Sequence, residues 1–153
     1  MHNQEHIQNI LIKYGAPESM AWLKVKISKM AETKSSKDLF MTYSLLNVKF
    51  DALKPILFEN VVDDCSDYFK AHKANLLQVA RIYLLSEILE QDKEFYTSKV
   101  ANIIQVADTG ELETFLKYLV LLPNPKAYKK TAVEALRTNI AIIFDAISLN
   151  NPY

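Results

Sequence analysis

The chain has 153 residues, of which 50% are hydrophobic and 24% charged, and its 18 basic residues balance 18 acidic ones. This length and balance are typical of one soluble domain with a single core. The zero net charge argues against a nucleic-acid-binding domain, because such domains generally carry a clustered basic excess. The two isolated glycines, Gly15 and Gly110, exclude a glycine-rich phosphate-binding loop, and the single Cys65 excludes an intrachain disulfide and a multi-cysteine zinc site.

Apolar periodicity predicts two helices at the start of the chain. From Ile7 to Tyr14 the apolar residues recur at i, i+3, i+4 and i+7, and Gly15 then supplies a stop. Pro17 and Ser19 open a second helix, predicted from Met20 to about Thr33.

The middle of the chain is predicted to hold three more helices. Ser35-Ser36-Lys37-Asp38 forms a capping box, which predicts the start of the third helix. The stretch Asn47–Ala74 is the least regular, because Pro55 breaks it, and a short acidic helix is predicted there from about Val61 to Phe69. Helix then continues from Asn75 to Gln91.

Three further helices are predicted in the last third. The first runs from about Tyr96 to Val106, and the second starts at the capping box Asp108-Thr109-Gly110-Glu111 and carries apolar residues as far as Leu122. Pro123-Asn124-Pro125 forces a corner, after which a last helix runs from about Lys126 to Leu149.

The pattern as a whole predicts an all-α protein. We expect residues 1–153 to form a single all-α domain of about seven helices, packed as antiparallel hairpins in a helical bundle or a short HEAT-like superhelix. Residues 1–6 lack a signal peptide, and the most apolar run, Leu76–Leu89, is too short to cross a bilayer. We therefore expect a cytoplasmic protein without a transmembrane segment.

Arg81 is the most informative residue that the periodicity provides. It lies within the apolar arc of Leu77, Leu84 and Leu85 on the Asn75–Gln91 helix. Because an unpaired buried charge is strongly unfavourable, Arg81 either forms a structural ion pair or lines a functional crevice. The sequence leaves both alternatives open.

Residue spacing indicates no catalytic or metal-binding constellation. His2 and His6 stand at i, i+4 without a third ligand, and the acidic run Asp63–Asp67 with His72 lacks the glycine of a calcium loop. The carboxylates between Glu87 and Glu94 stand at a helix end, where charges are normally solvated. We expect no metal, no cofactor and no catalytic residue.

Four segments carry a resemblance to a known family. They are Leu77–Leu85 (LQVARIYLL), Ala107–Leu112 (ADTGEL), Leu119–Pro125 (LVLLPNP) and Glu134–Tyr153 (EALRTNIAIIFDAISLNNPY). Together these segments resemble the EboA family over roughly the last 80 residues. Leu39–Leu46 is a weaker match.

The resemblance implies a bacterial or algal-plastid gene cluster that makes a lipid-like product or moves secondary-metabolite precursors out of the cytosol. Its companion proteins include a membrane prenyltransferase of the UbiA type, a sugar-phosphate-isomerase-like barrel and a metal-dependent hydrolase. The resemblance assigns no reaction to this member of the cluster.

From this resemblance we expect a non-catalytic accessory or scaffold protein of prenylated secondary-metabolite biosynthesis or precursor export. Its expected partners are proteins of the same gene cluster, with a membrane prenyltransferase among them, or a small apolar metabolite. Its expected location is the cytoplasm, with a peripheral position at the inner face of the membrane as an extension. The alternative is a small-metabolite enzyme in which Arg81 and Arg137 hold an anionic substrate and an acidic residue is the base.

The positions that match the family pattern fall into two groups. The candidates for binding a ligand or partner are Arg81, Arg137, Asn139 and Asn151. Those with a structural explanation, or belonging to the motif alone, are Asp108, Glu111, Pro123, Pro152 and Tyr153. Family members continue beyond Asn-Pro-Tyr with an aromatic segment, so we expect this chain to be either shortened or a short member of the family.

Overall fold

The computed structural model describes residues 3–51, 56, 63–106, 109–123, 125–128, 130–131 and 133–134. In these residues the chain forms seven α-helices and two 3₁₀ turns, and no strand. The α-helices, numbered in chain order, are α1 (Asn3–Tyr14), α2 (Pro17–Thr33), α3 (Ser36–Lys49), α4 (Asp64–Ala71), α5 (Leu76–Gln91), α6 (Lys93–Val106) and α7 (Thr109–Tyr118). The prediction of an all-α protein with about seven helices is confirmed.

Helix α5 is the centre of the fold. Twelve of its sixteen residues are buried, and it packs against α1, α2, α3, α6 and α7. A central helix that contacts helices far away in sequence is typical of a bundle, whereas in a superhelix each repeat contacts only its neighbours. The arrangement therefore corresponds to the bundle alternative. Even α5 is not long and apolar enough to cross a membrane, and the same holds for every other helix described.

Helix α1 ends at Tyr14, where Gly15 was expected to stop it. The Gly15 N–H donates to the Leu11 carbonyl at 2.8 Å, and a Cβ on Gly15 would lie only 2.7 Å from that oxygen. A side chain at position 15 would therefore push against the last turn of α1, which explains a glycine here without any left-handed backbone.

Helices α2 and α3 form an antiparallel pair. Helix α2 begins at Pro17, three residues before the predicted start, because proline suits the first helical position. The Ser19 hydroxyl donates to the Lys49 carbonyl at 2.7 Å, so the first turn of α2 lies beside the end of α3. At the start of α3, Ser35 accepts a hydrogen bond from the Asp38 N–H, as the capping pattern predicts.

Helix α4 differs from its prediction at both ends. The Asp63 side chain accepts from the Ser66 N–H at 2.6 Å, so Asp63 is the cap and the helix begins after it. At the other end the chain continues to Ala71 and leaves the helix through Lys73, whose φ of 54° is left-handed.

Asn75 and Asp92 cap the two helices that follow them. Asn75 and Gln78 form a capping box, in which each side chain accepts the other residue's backbone N–H. The Asp92 side chain accepts from the Phe95 N–H at 3.2 Å, and α6 therefore begins three residues earlier than predicted.

Around Pro123 the chain tightens into two 3₁₀ turns, Leu119–Leu121 and Pro125–Tyr128. The prediction that the α7 helix reaches Leu122 is therefore wrong. The last helix was predicted from about Lys126, and the first residues described as α-helical after the turns are 130–131 and 133–134, so it begins a few residues later than predicted. Each proline disfavours α conformation in the residue before it, and the turns accommodate both of them. The predicted last helix beyond residue 134 falls outside the described residues.

Tyrosine hydroxyls join helices by reaching backbone carbonyls near helix ends. Tyr96 on α6 donates to the Met30 carbonyl of α2 at 2.8 Å, and Tyr68 on α4 donates to the Lys117 carbonyl of α7 at 2.7 Å. These bonds join the end of one helix to a side chain of another. The Met30 carbonyl also accepts from the Lys34 N–H, so the Tyr96 hydroxyl is its second donor.

Candidate functional site

Arg81 lies in the middle of α5, where α3 and α7 pack against that helix. Its side chain is only 7% exposed. Nη1 donates to the Thr114 Oγ1 on α7 at 3.4 Å, and the guanidinium carbon lies 6.0 Å from the centre of the Tyr43 ring on α3. A hydroxyl and an aromatic ring, both neutral, therefore hold this buried cation.

The electrostatic surroundings of Arg81 are incomplete. Among the described residues, no carboxylate lies within ion-pair distance of its guanidinium, and its buried Nε has no hydrogen-bond partner. The structural ion pair that the sequence left open is thus not seen in this part of the chain. Because an uncompensated buried charge is unfavourable, the guanidinium retains the capacity to bind an anionic or carbonyl oxygen.

Glu111 stands in the first turn of α7, one turn before Thr114. Its side chain is buried, and its backbone carbonyl accepts from the Tyr43 hydroxyl at 3.3 Å. Counted from Thr109, Glu111 is the third helical residue, the position that the predicted capping box requires. We call Tyr43, Arg81, Glu111 and Thr114 the Arg81 cluster.

The structure places only part of the predicted site. Arg81 is the one ligand or partner candidate within the described residues. The predicted residues that lie outside them are Asp108, Arg137, Asn139, Asn151, Pro152 and Tyr153. Pro123 is half-buried between the two 3₁₀ turns, at the corner that it was expected to form. Convergence of Asn139 or Arg137 on Arg81 therefore stays a prediction.

Sequence reasoning missed the two neighbours that hold Arg81. Tyr43 lies in the weakly matching stretch Leu39–Leu46, on the buried side of α3. Thr114 is fully buried between the apolar residues of α7 and lies 33 positions from Arg81 in the chain. Its polar side chain on an apolar face was the available signal, but no local spacing connects it to α5.

The histidines and the cysteine near α4 have structural explanations. His72 lies with Nδ1 2.9 Å from the Tyr68 carbonyl and stacks on the Tyr68 ring at 4.1 Å between centroids. His6 Nδ1 is 3.6 Å from the Asp63 carboxylate. Burial, with a smaller effect of the Asp63 charge, raises the pKa of the Cys65 thiol to about 12. Within the described ranges, no three histidine, cysteine or acidic side chains converge as a metal site would require.

The carboxylates at the end of α5 do not join the Arg81 cluster. Burial raises the pKa of Glu87, an effect that the Lys24 charge on α2 partly opposes. Asp92 forms an ion pair with Lys34, with 2.9 Å between Oδ2 and Nζ, and this contact lowers the pKa of Asp92. These groups support helix packing and the α2–α3 turn.

Comparison with known proteins identifies the family of the chain. The model of the EboA family, described as metabolite traffic protein EboA, matches residues 3–153. No curated protein and no solved structure gives a significant match. The predicted resemblance is confirmed, and it extends from the C-terminal segments and the central helix to nearly the whole chain, with the Arg81 cluster inside it.

Proposed function

The chain belongs to the EboA family of metabolite traffic proteins, and we propose that it acts there as a non-catalytic accessory protein. In this proposal it holds a small, largely apolar metabolite and presents it to proteins of the same gene cluster, a membrane prenyltransferase among them. The pathway is biosynthesis of a prenylated secondary metabolite or export of its precursor. The protein works in the cytoplasm, at the inner face of the membrane.

The observation that carries this proposal is the buried guanidinium of Arg81. The fold already keeps this cation away from water, with Nε unpartnered among the described residues. A carboxylate, phosphate or carbonyl oxygen on a metabolite would complete its hydrogen bonding in a medium of low dielectric, where such a bond is strong. The apolar neighbours Leu77 and Leu84 suit a ligand whose remaining atoms are hydrocarbon.

The chemistry of the Arg81 cluster favours binding over proton transfer. Arginine stays protonated in proteins, and the hydroxyls of tyrosine and threonine are neutral near physiological pH. Arg81, Tyr43 and Thr114 can therefore orient and neutralise an anionic group, but they do not exchange protons readily. This is the behaviour of a carrier or presenting protein.

Glu111 favours a second candidate function, a small-metabolite enzyme. It is a buried carboxylate one helical turn from Thr114, the residue that Arg81 contacts, and a buried carboxylate is a group that can act as a general base. In this alternative Arg81 and Arg137 hold an anionic substrate while Glu111 removes a proton.

Bound metabolites can be compared between matched variants. We would purify the full chain under native conditions from cells that express its gene cluster, extract it with solvent and analyse the extract by mass spectrometry. Arg81→Met removes the charge at similar length. Lys117→Met is the control, because Lys117 is also a largely buried cation but is paired with Glu113 on α7. We expect the wild type and Lys117→Met to retain the same compounds and Arg81→Met to retain about tenfold less.

Equal recovery of compounds from all three proteins, each shown to be folded, would contradict the ligand part of the proposal. Conversion of the recovered compounds by purified protein, lost in Glu111→Gln, would identify the enzyme instead. The partner part is tested by proteins co-purified from separate soluble and membrane fractions. Recovery of the chain alone from both fractions would exclude a stable complex with the prenyltransferase.

A further inference from the structure

The outer side of α3 carries a row of exposed apolar side chains. Met41 is 52% exposed, Leu45 43% and Val48 73%. Their spacing of i, i+4 and i+7 places them on one face of the helix, about 10 Å long. The opposite face, with Leu39 and Leu46, is buried in the core, so α3 is apolar on the side where a surface helix is ordinarily polar.

Helix α2 extends this surface. Val25 is 65% exposed and stands opposite the buried residues of its helix. Trp22, one turn earlier, is half-buried, and the Lys49 ammonium lies 5.4 Å from the centre of its ring. Helices α2 and α3 pack on each other and both pack on α5, and the contact between Lys49 of α3 and Trp22 of α2 links their outer sides. We call the exposed side chains of Val25, Met41, Leu45 and Val48 the outer apolar row.

The two helices that carry the outer apolar row are rich in positive charge. Residues 17–49 contain six lysines and three acidic residues, a net charge of +3 in a chain whose total is zero. Lys24, Lys29, Lys37 and Lys49 are exposed, while Lys34 is paired with Asp92. Long lysine side chains extend around apolar surface and keep their ammonium groups in water.

This combination fits one kind of occupant, a bilayer surface that contains anionic lipids. Apolar side chains that project from a surface helix insert at the boundary between headgroups and acyl chains, and flanking lysines bind the lipid phosphates. The charge complements a membrane better than it complements a second copy of the chain, because two such surfaces would bring like charges together.

We propose that the outer apolar row and its lysines dock the protein onto an anionic membrane surface. The inference deepens, and rests on, the peripheral location in the proposed function. It uses residues separate from the Arg81 cluster, so the two can fail independently. Docking on this face leaves α5 and α7 on the far side of α3 from the lipid, free to hold a ligand.

Vesicle binding tests this proposal with the full chain. The probes are vesicles of phosphatidylcholine alone and of phosphatidylcholine with phosphatidylglycerol, in sedimentation at low and high salt. The test variant combines Leu45→Gln and Val48→Gln. The control is Ile12→Gln on α1, because Ile12 is also an exposed apolar residue at 55% but lies outside residues 17–49, which carry the excess of lysines.

We expect the wild type and the control to bind only the vesicles with phosphatidylglycerol, with affinity that falls as salt increases. The double variant should bind about tenfold more weakly. Trp22 is the only tryptophan and adjoins this surface, so its emission should shift to shorter wavelength on binding and be quenched by brominated lipid. This second readout does not depend on sedimentation.

Absence of wild-type binding to the anionic vesicles, or equal binding by the double variant, would overturn the proposal. A wild type that is dimeric in solution and becomes monomeric in the double variant would also overturn it, because the row then covers a second copy. The Arg81→Met protein should bind vesicles like the wild type. Vesicle binding without metabolite recovery would support docking and contradict the ligand proposal. Metabolite recovery without vesicle binding would support the ligand proposal and contradict docking.

Discussion

Helices α3 and α5 pack against each other, and apolar residues lie on nearly every side of both. For α5 this composition matches its surroundings, because five other helices cover it. For α3 it does not, because the core covers one face while Met41, Leu45 and Val48 face outward. An apolar sequence therefore indicates which residues a helix can bury, whereas the position of the helix among its neighbours decides which of them it does bury.

The largest expected difference between the two helices comes from removing a leucine. Leu84 on α5 is fully buried, whereas Leu45 on α3 is 43% exposed. Leu84→Ala loses hydrophobic burial and leaves a cavity, so we expect the free energy of unfolding to fall by about 3 kcal/mol. Leu45→Ala should lower it by less than about 0.5 kcal/mol.

Urea denaturation of the two variants and the wild type measures both effects, with far-UV circular dichroism as the control for helix content. A loss at Leu45 as large as that at Leu84 would show that the outer apolar row is covered by another part of the chain. The outer side of α3 would then be buried as α5 is, and the docking proposal would fail.

Arg81 is the exception within α5, and its replacement tests what the charge does there. Arg81→Met keeps most of the side-chain volume and removes an uncompensated buried cation. The bond to Thr114 is long at 3.4 Å and contributes little. We therefore expect the free energy of unfolding to stay the same or to rise by up to about 2 kcal/mol.

Lys49→Met on the outer side of α3 is the matched change at an exposed cation, and it should leave stability within about 0.5 kcal/mol of the wild type. A decrease of about 3 kcal/mol in Arg81→Met would instead indicate that Arg81 is held by an internal ion pair. In that case Arg81 would not be an uncompensated charge, and the ligand proposal would lose its main support.

The sequence predicted α5 well and the site poorly, for physical reasons. Periodicity and Asn75 locate α5 to within one residue, because a helix pattern and its cap are local properties. The burial of Arg81 follows from the same periodicity. Its neighbours Tyr43 and Thr114 come from two other helices, and only the packing of α3 and α7 onto α5 brings them together.

Helix starts show the same limit on a smaller scale. The sequence pattern identifies the serine cap of α3, but it treats Asp63 and Asp92 as members of charged runs, although each of them caps a helix. An aspartate in a polar stretch has several solvated alternatives, and the neighbouring helices decide among them. Exposure of the outer apolar row could not be predicted either, because the same residues would suit a buried helix.

Smaller effects on stability are expected from replacing the residues that cap α5 and α3. Asn75→Ala removes the bond that its side chain accepts from the Gln78 N–H at 2.8 Å, while its own N–H can still donate to Gln78, so the free energy of unfolding should fall by about 1 kcal/mol. Ser35→Ala at α3 removes the longer bond from the Asp38 N–H, at 3.1 Å, and should cost less. Chemical denaturation compares the two, and an equal or larger loss at Ser35 would show that α3 depends on its cap as strongly as the central helix does.

The smallest effect is expected where α5 emerges from the core, and it depends on pH. Burial raises the pKa of Glu87 above its ordinary value of 4.5, so the folded protein binds this proton more tightly than the unfolded chain does. The resulting stability is present at pH values below 4.5 and is lost as the pH rises through the raised pKa. Glu87→Gln removes this dependence.

We therefore expect the Tm of Glu87→Gln, relative to the wild type, to increase as the pH rises from acid to neutral. Asp92→Asn is the matched control with the opposite sign, because the Lys34 contact lowers the pKa of Asp92 and stabilises the fold only once Asp92 is ionised. Its Tm should fall below that of the wild type at neutral pH and approach it in acid. If both variants followed the same trend with pH, the Glu87 carboxylate would be stabilised in its ionised form, as Asp92 is by Lys34, and burial would not govern its protonation.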